Sequence, residues 1–242
     1  MPSDTLPGGY AGKILRVDLT SGALTDEQLT PDELRACVGG TGAGTRYLMN
    51  EAGPSIAWDD PRNPVAIMAG PLAGTRISGT GNFAAVFKGP MTGMAGATQA
   101  NGYFGAFLRF CGYDGAVITG ASDRPVCLVF THEGPRLRDA TGLWGLDTNQ
   151  AEDALHRELG LGDRQLSVFT VGPAAENGAL FTGLVGDRGH IAAHNGLGTV
   201  LARKRLKAIA AVRGKRPIPV ADPKALGALV DRIFDDANVF GG

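Results

Sequence analysis

The sequence has little charge imbalance and little cysteine, and each shortage removes a class of function. Twenty-three Lys and Arg against 24 Asp and Glu leave a formal net charge of −1, so no bulk electrostatic footprint exists for a nucleic acid or a membrane surface. The three cysteines, Cys37, Cys111 and Cys127, lie far apart. They make no CxxC pair, no disulfide framework and no cluster-binding run, and read as small buried hydrophobes in a reduced compartment. No apolar stretch approaches the length of a membrane span. Met1-Pro2-Ser3-Asp4 has no basic region ahead of an apolar one, so no secretory leader is expected. These absences describe a soluble cytoplasmic protein.

Self-contained catalytic motifs are also missing. No G-x-x-x-x-G-K-[ST] occurs, which removes the P-loop. Gly39-Gly40-Thr41-Gly42-Ala43-Gly44 imitates a dinucleotide fingerprint, but its third glycine would fall on Thr45 and the cluster follows a helix rather than a strand. His190 and His194 are four apart, yet Ile191 stands where zincin chemistry needs Glu. Gly189 and Asn195-Gly196 argue for a loop there instead of a helix. No catalytic residue and no metal ligand is assigned.

What the sequence has in excess is glycine: 37 of 242 residues, about twice the usual ~7%. The glycines have no three-residue period, and 43% of the chain is apolar, so a packed globular domain is expected and not a collagen or a linker. Lys13–Leu19 and Ala23–Leu29 read as a hairpin, Thr30-Pro31-Asp32-Glu33 as a helix start, and Val65–Ala69 as a strand ending in Gly70-Pro71. A second short helix over Arg46–Asn50 is expected after the glycine cluster. About 100 residues later the order repeats: a hairpin of Val126–Phe130 and Arg136–Arg138, a helix opened by Asp147-Thr148 and closed at Gly160, and a strand Leu166–Val171 before Gly172-Pro173. Further strands are expected at Phe83–Lys88 and Gly115–Thr119. The pattern suggests a duplication, with halves at roughly 10–120 and 121–213, in an α+β fold of two mixed sheets with flanking helices. Residues 214–242 read as a linker and the start of a following helical domain, opened by Pro223. A helix so late, with nothing obvious to pack on, suggests a truncated or split polypeptide.

Three glycine-rich loops remain: Gly70–Asn82, Gly96–Gly105 and Gly189–Gly198. Such loops let backbone N–H groups approach a flat, anionic ligand. They serve equally well as tight turns between sheets, and on the residues alone both readings stay open.

Several strings occur in register that are similar to one family. They are Tyr10–Thr20 (YAGKILRVDLT), Asn63–Thr75 (NPVAIMAGPLAGT), Lys88–Gly93 (KGPMTG), Gly102–Gly105 (GYFG) with Phe110–Asp114 (FCGYD), Arg138–Ala140 with Leu143–Gly145, Val171–Asn177 (VGPAAEN) and Leu206–Ala210 (LKAIA). Over about residues 10–213 the chain resembles the N-terminal domain of the aldehyde:ferredoxin oxidoreductase family. The resemblance implies a duplicated β-rich base (1–213) carrying a tungsten (or molybdenum) bis-pterin. Helical domains, or a subunit in trans, would complete the pocket with D-x-x-G-L motifs and the four cysteines of a [4Fe–4S] cluster. The implied reaction oxidises aldehydes to carboxylic acids and passes electrons through the cluster to ferredoxin; a homo-oligomer is also possible. The residues it points to for the cofactor are Arg76, Asn82, Gln99, Asn101, Ala192, Ala193, His194, Asn195 and Gly196.

Asp139-Ala140-Thr141-Gly142-Leu143 fits D-x-x-G-L as a string, but it falls on the Arg-Asp-Ala…Leu-Trp-Gly segment and is expected to be structural. The departures from the family concentrate in the loops. Asn82 stands where the family has an Arg before an aromatic, and Gln99-Ala100-Asn101-Gly102 where it has Asn-Ser-Gly-Gly. At 189–198, Ile191 and Asn195 replace arginines and His194 replaces a glycine. Three guanidiniums that could grip phosphate are thus lost, while backbone contacts at Ala192 and Asn101 do not depend on them. Two alternatives follow: a non-catalytic scaffold or pterin carrier derived from this family, or a relative with another pterin-metal reaction, such as reduction of an aromatic thioester.

Overall fold

The computed structural model describes residues 5–240; Met1–Asp4 and the final Gly241-Gly242 lie outside them. The first hairpin pairs β1 (Lys13–Asp18) with β2 (Ala23–Gln28). Helix α1 (Pro31–Cys37) starts as its sequence dictates: Thr30 accepts from the Glu33 N–H while the Glu33 carboxylate accepts from Thr30 N–H, a reciprocal cap. Helix α2 spans Gly40–Glu51 and so begins inside the glycine cluster, well before the expected Arg46. Packing explains the difference. A methyl on Gly44 would stand 2.6 Å from Val86 Cγ2, so glycine lets this helix lie close to the sheet.

The first half continues with β3 (Val65–Ala69), β4 (Phe83–Lys88), β5 (Ala95–Ala100), α3 (Phe104–Phe110) and β6 (Gly115–Thr119). The second half has β7 (Val126–Thr131), β8 (Gly134–Asp139), α4 (Thr148–Leu159), β9 (Leu166–Thr170), α5 (Pro173–Glu176), β10 (Leu184–Gly186), β11 (His190–Ala192), α6 (Leu197–Arg203) and β12 (Leu206–Val212). Two of the expected loops therefore contain structure: β5 and the start of α3 run through Gly96–Gly105, and β11 and the start of α6 through Gly189–Gly198. Small residues with few apolar side chains gave those edge strands no readable period. Helix α7 (Pro223–Phe240) follows the proline-rich linker.

The two sheets repeat one topology. Sheet order is β2-β1-β6-β3-β4-β5 in the first and β8-β7-β12-β9-β10-β11 in the second. In each, a single parallel pair (β1 with β6, β7 with β12) is followed by antiparallel neighbours. Strand alternation sorts the core into layers. Leu15, Val17, Val65 and Ile67 of the first sheet share one cluster with Leu128, Phe130, Phe169 and Ile209 of the second, joined by Phe104 and Leu108 of α3 and Val200 and Leu201 of α6. The alternate residues point outward: Ile14, Ala66, Met68 and Val117 onto Tyr47 of α2, and Cys127, Val129, Val168 and Ala210 onto Leu155 of α4. Both faces of both sheets are covered, which is why their central strands read as unbroken apolar runs.

Lys204, just past α6, crosses from the second half to the first. Its buried ammonium donates to the carbonyls of Pro61 and Gly120 at 2.8 and 3.1 Å. Among the described residues no helix is long and apolar enough to cross a membrane.

Candidate functional site: two glycine cradles at the sheet edges

Each half builds a cradle where its outer strands begin and end. In the first, the loop that enters β4 (Gly81-Asn82) meets the loop that leaves β5 and enters α3 (Asn101–Phe104). Gly105 N–H donates to the Gly81 carbonyl at 2.9 Å, and a side chain at Gly105 would strike the Asn82 and Gly81 carbonyls. The second half repeats the contact with different residues. Gly198, at the matching position of α6, donates to the Thr182 carbonyl at 3.0 Å, and a side chain there would strike Gly183. Glycine is needed at both because two loops pass closer than a Cβ allows.

The halves then interlock. The β10–β11 turn delivers Asp187, whose carboxylate accepts from Tyr103 N–H at 2.6 Å, from the Ser167 hydroxyl at 2.8 Å and from Val168 N–H at 3.2 Å. Burial pushes the Asp187 carboxyl above the usual range, against these hydrogen bonds. On the other side, Asn195 donates through Nδ2 to the Ala97 carbonyl, and His194 N–H to Thr98 Oγ1, both at 3.1 Å. Asn195 holds a left-handed backbone, φ 61°, a conformation asparagine tolerates. Each cradle is thus closed by the edge of the other half.

The first cradle opens into a cleft of about 690 Å³ lined by Asn82, Asn101, Tyr103, Phe107, Arg164, His190 and Arg213 among others. Tyr103 and Phe107 stack at 5.6 Å and 20°, and Tyr103 is half exposed. The second cradle faces a space of about 190 Å³ lined by Met91, Thr92, Phe181, Ala193, Asn195 and Gly196. Of the sequence-derived candidates, Asn82 and Asn101 meet in the first cleft, and Ala193, Asn195 and Gly196 in the second. Gln99 lies on the exposed face of β5 between them, and His194 is exposed beside it. Ala192 is fully buried, so nothing but its backbone can reach a ligand. Arg76 is set apart, lining a separate cleft against the linker and α7 with Ile218, Val220 and Leu226.

The comparisons with known proteins agree on one family. The family model "Aldehyde ferredoxin oxidoreductase, N-terminal domain" matches residues 14–213. The chain belongs to this family. It is 36% identical over 214 residues, 88% of this chain, to the tungsten-containing aldehyde ferredoxin oxidoreductase of Pyrococcus abyssi. It is 30% identical over 241 residues to the aliphatic sulfonate oxidoreductase, WOR-like subunit, of Pyrococcus furiosus. These matches cover 94% of this chain in the second case, and 35% and 38% of the two relatives' own lengths, so the chain spans little more than a third of them. Among solved structures, the active site complex BamBC of benzoyl coenzyme A reductase with 1,5-dienoyl-CoA superposes with a TM-score of 0.91. It does so at 26% identity, over 95% of this chain and 35% of that one.

For an aldehyde ferredoxin oxidoreductase N-terminal domain, the residues present fit a flat, phosphorylated ligand. Its first cleft lies within the usual size of small-molecule sites, ~300–1,000 Å³, carries an aromatic ledge and three basic side chains, and has no carboxylate in its lining. Among the described residues, no group of three His, Cys, Asp or Glu is placed to hold a metal. The domain's cysteines are dispersed: Cys111 and Cys127 are buried, and burial pushes both thiols up to about 12. The Asp139–Leu143 string is a strand end and a single helical turn, with Leu143 buried in the core and Thr141 bonded to Asp139.

The sequence alone did not single out Asp187, Tyr103, Arg164 or Arg213. A signal for the last two existed. Arg164 precedes β9 and Arg213 follows β12, and recognising those strands as an antiparallel pair places both at one sheet end.

Proposed function

We propose that this chain is the cofactor-carrying N-terminal part of an aldehyde oxidoreductase, holding a tungsten (or molybdenum) bis-pterin across its two sheet edges. The observation that carries the reading is the repeated cradle: two six-stranded sheets of one topology present matching glycine contacts, Gly105 on Gly81 and Gly198 on Thr182. A ligand built of two similar pterin halves suits such a base. Asn82, Asn101 and the Tyr103 ring would hold one half, with Ala193, Asn195 and Gly196 at the other and Gln99 between. When bound, the metal supplies two-electron chemistry, and the family's [4Fe–4S] cluster divides it into single electrons for ferredoxin. Cys37, Cys111 and Cys127 are dispersed, and among the described residues no three ligating side chains come together, so in this reading helical domains or a partner subunit supply the cluster ligands and complete the pocket. This chain's residues bind and orient the cofactor, and the β5–β11 seam excludes water beneath it. Purification of the complete protein from cells supplied with tungstate and molybdate tests the reading. Metal and a fluorescent oxidised pterin in stoichiometric amount are expected; the absence of tungsten, molybdenum and pterin together overturns it.

The replacement of three family arginines by Asn82, Ile191 and Asn195 favours a second reading, a non-catalytic scaffold or carrier that releases cofactor. Under it, the N82R/I191R/N195R variant retains more pterin than the wild type, and an unchanged content counts against it. Reduction of an aromatic thioester at its ring, suggested by the benzoyl coenzyme A reductase neighbour with its dienoyl-CoA, is separated from aldehyde oxidation by offering the complete protein each substrate in turn.

A further inference from the structure

The proline-rich linker between β12 and α7 is seated on the first half. Arg216 N–H donates to the Phe110 carbonyl at 3.3 Å, and Gly9 N–H donates to the Pro219 carbonyl at 2.6 Å. The Arg216 side chain lies over Gly112, where a Cβ would stand 2.6 Å from its Nη1. Pro217 and Pro219 fix φ along the segment and so lower the entropy lost when it docks. Asp222 then opens α7 by accepting from Ala225 N–H at 2.9 Å. Residues 214–221 form a strap across the first half, not a loose tether.

At the strap's centre, Ile218 packs on the loop that rims the large cleft. A Cβ at Gly74, whose φ is +82°, would stand 3.0 Å from the Phe110 ring and 3.2 Å from Ile218 Cγ1. Only a glycine backbone fits between the two. Gly74, Thr75 and Phe110 line the large cleft, while Ile218, Val220 and Leu226 border residues 74–76 across a separate one. Phe110 meets Phe107 at 6.3 Å, and Phe107 meets Tyr103 at 5.6 Å, so a row of rings runs from the strap into the cleft. The rim has little else to hold it. Among the described residues, the hydrogen bonds of 71–80 reach no further than Gly70: Ala73 N–H to Gly70, Thr75 N–H and hydroxyl to Leu72, Ile77 N–H to Thr75 Oγ1, and the Thr80 hydroxyl to Ile77. A segment with only local hydrogen bonds opens at low cost. Past the buried Ala73, the apolar contact of Ile218 opposes that opening.

We propose that residues 214–221 are a strap that gates the large cleft. While Ile218 is seated, the rim at 74–80 is held against Phe110 and the cleft keeps its outer wall; when the strap lifts, the rim swings free. The strap runs directly into α7, whose Leu229, Ile233 and Phe234 are exposed, so a displacement of that helix is passed to the rim. The gate acts on whatever ligand the cleft takes, and the cofactor reading can fail without it.

The test compares the complete wild-type protein with I218S, with the conservative I218V, and with L229S on the exposed face of α7 as a control. Trypsin can cut the strap after Lys215. Cleavage there about tenfold faster in I218S is expected, with I218V and L229S at the wild-type rate. Hydrogen exchange then reads the rim itself: the Thr75 and Ile77 amides should exchange about tenfold faster in I218S, and those of β7 and β9 should not change. Equal cleavage of wild type and I218S overturns the docked strap, and faster cleavage with an unchanged rim overturns the gate. A second measurement needs no variant. In the wild type, the rim amides of Thr75 and Ile77 should open no more often than the Gly9 and Arg216 amides that report the strap. A rim that opens tenfold more often than the strap overturns the gate even if I218S fails to fold.

Discussion

The two halves share a strand order but not a chemistry. Both edges carry a glycine pressed against the loop that enters the outer strands, and both are closed by the opposite half. Yet the first cradle opens into about 690 Å³ bordered by amides, a stacked aromatic pair, Arg164 and Arg213, and the second into about 190 Å³ bordered by Met91 and Phe181. The backbone contacts that set the shape of the base persist in both, because a Cβ at Gly105 or Gly198 would part the loops. The topology is common to both halves, and the side chains that line the two spaces are not.

The largest effect should come from removing what the halves share. Phe169 of the second sheet meets Phe83 of the first edge to face at 4.9 Å and is fully buried. Phe169→Ala is expected to cost about 3–5 kcal/mol, measured by urea denaturation. A single transition, seen alike by fluorescence and circular dichroism, should persist and shift; two separate transitions in the variant would mean that the halves unfold independently.

Next in size is the joint at Lys204. Burial lowers its folded-state pKa to about 8, from 10.5 in the open chain. Between those values the unfolded chain binds more protons, so this group makes stability rise with pH from about 8 to 10.5. Below pH 8 the full cost of the buried charge is carried. The shift corresponds to about 3 kcal/mol at ~1.36 kcal/mol per unit. Lys204→Met leaves the Pro61 and Gly120 carbonyls without their donor but removes the charge. The stability gap between wild type and variant should therefore widen in favour of the wild type from pH 7.5 to 10.5, and a gap of constant size would refute the linkage.

The comparison also shows how much of this was legible beforehand. The hairpins, the Thr30 and Asp147 caps and the central strands were readable because each rests on local chemistry: a reciprocal cap, a turn residue, or a run of apolar residues too short for a helix. The repeat was visible from element order alone. The short edge strand β11 was not, because His190-Ile191-Ala192 carries no alternation, and neither was the early start of α2, where Gly44 serves close packing and not helix propensity. Asn82 and Asn101, which line one cleft, were singled out as candidates through the family's loops. Arg164 and Arg213 belong to the other half, more than 80 residues and more than 130 residues along the chain from Asn82. Strand pairing brings them to the cleft, and no loop motif encodes that approach.

The matched glycines sharpen the comparison further. Gly105→Ala should separate the Gly81–Asn82 loop from α3 and lower stability by about 1–3 kcal/mol. Gly198→Ala should do the same between α6 and Thr182-Gly183. In hydrogen exchange each variant should lose amide protection at its own Gly105 or Gly198 contact and keep it at the other. Loss at both sites in either variant would show that the two cradles are one mechanical unit.

The smallest effect concerns the seam. Asn195 makes one exposed hydrogen bond to the Ala97 carbonyl and holds φ at 61°. Asn195→Ala loses both the bond and asparagine's tolerance of that backbone, and about 1 kcal/mol is expected. Asn195→Gly loses the bond but accepts the backbone freely, so it should be the milder of the two in thermal unfolding. If alanine is the milder, the left-handed turn at the second cradle is not held by local preference. The seam would then rest on the His194–Thr98 bond and on the Asp187–Tyr103 contact at the first cradle, making the first cradle the anchor of the second.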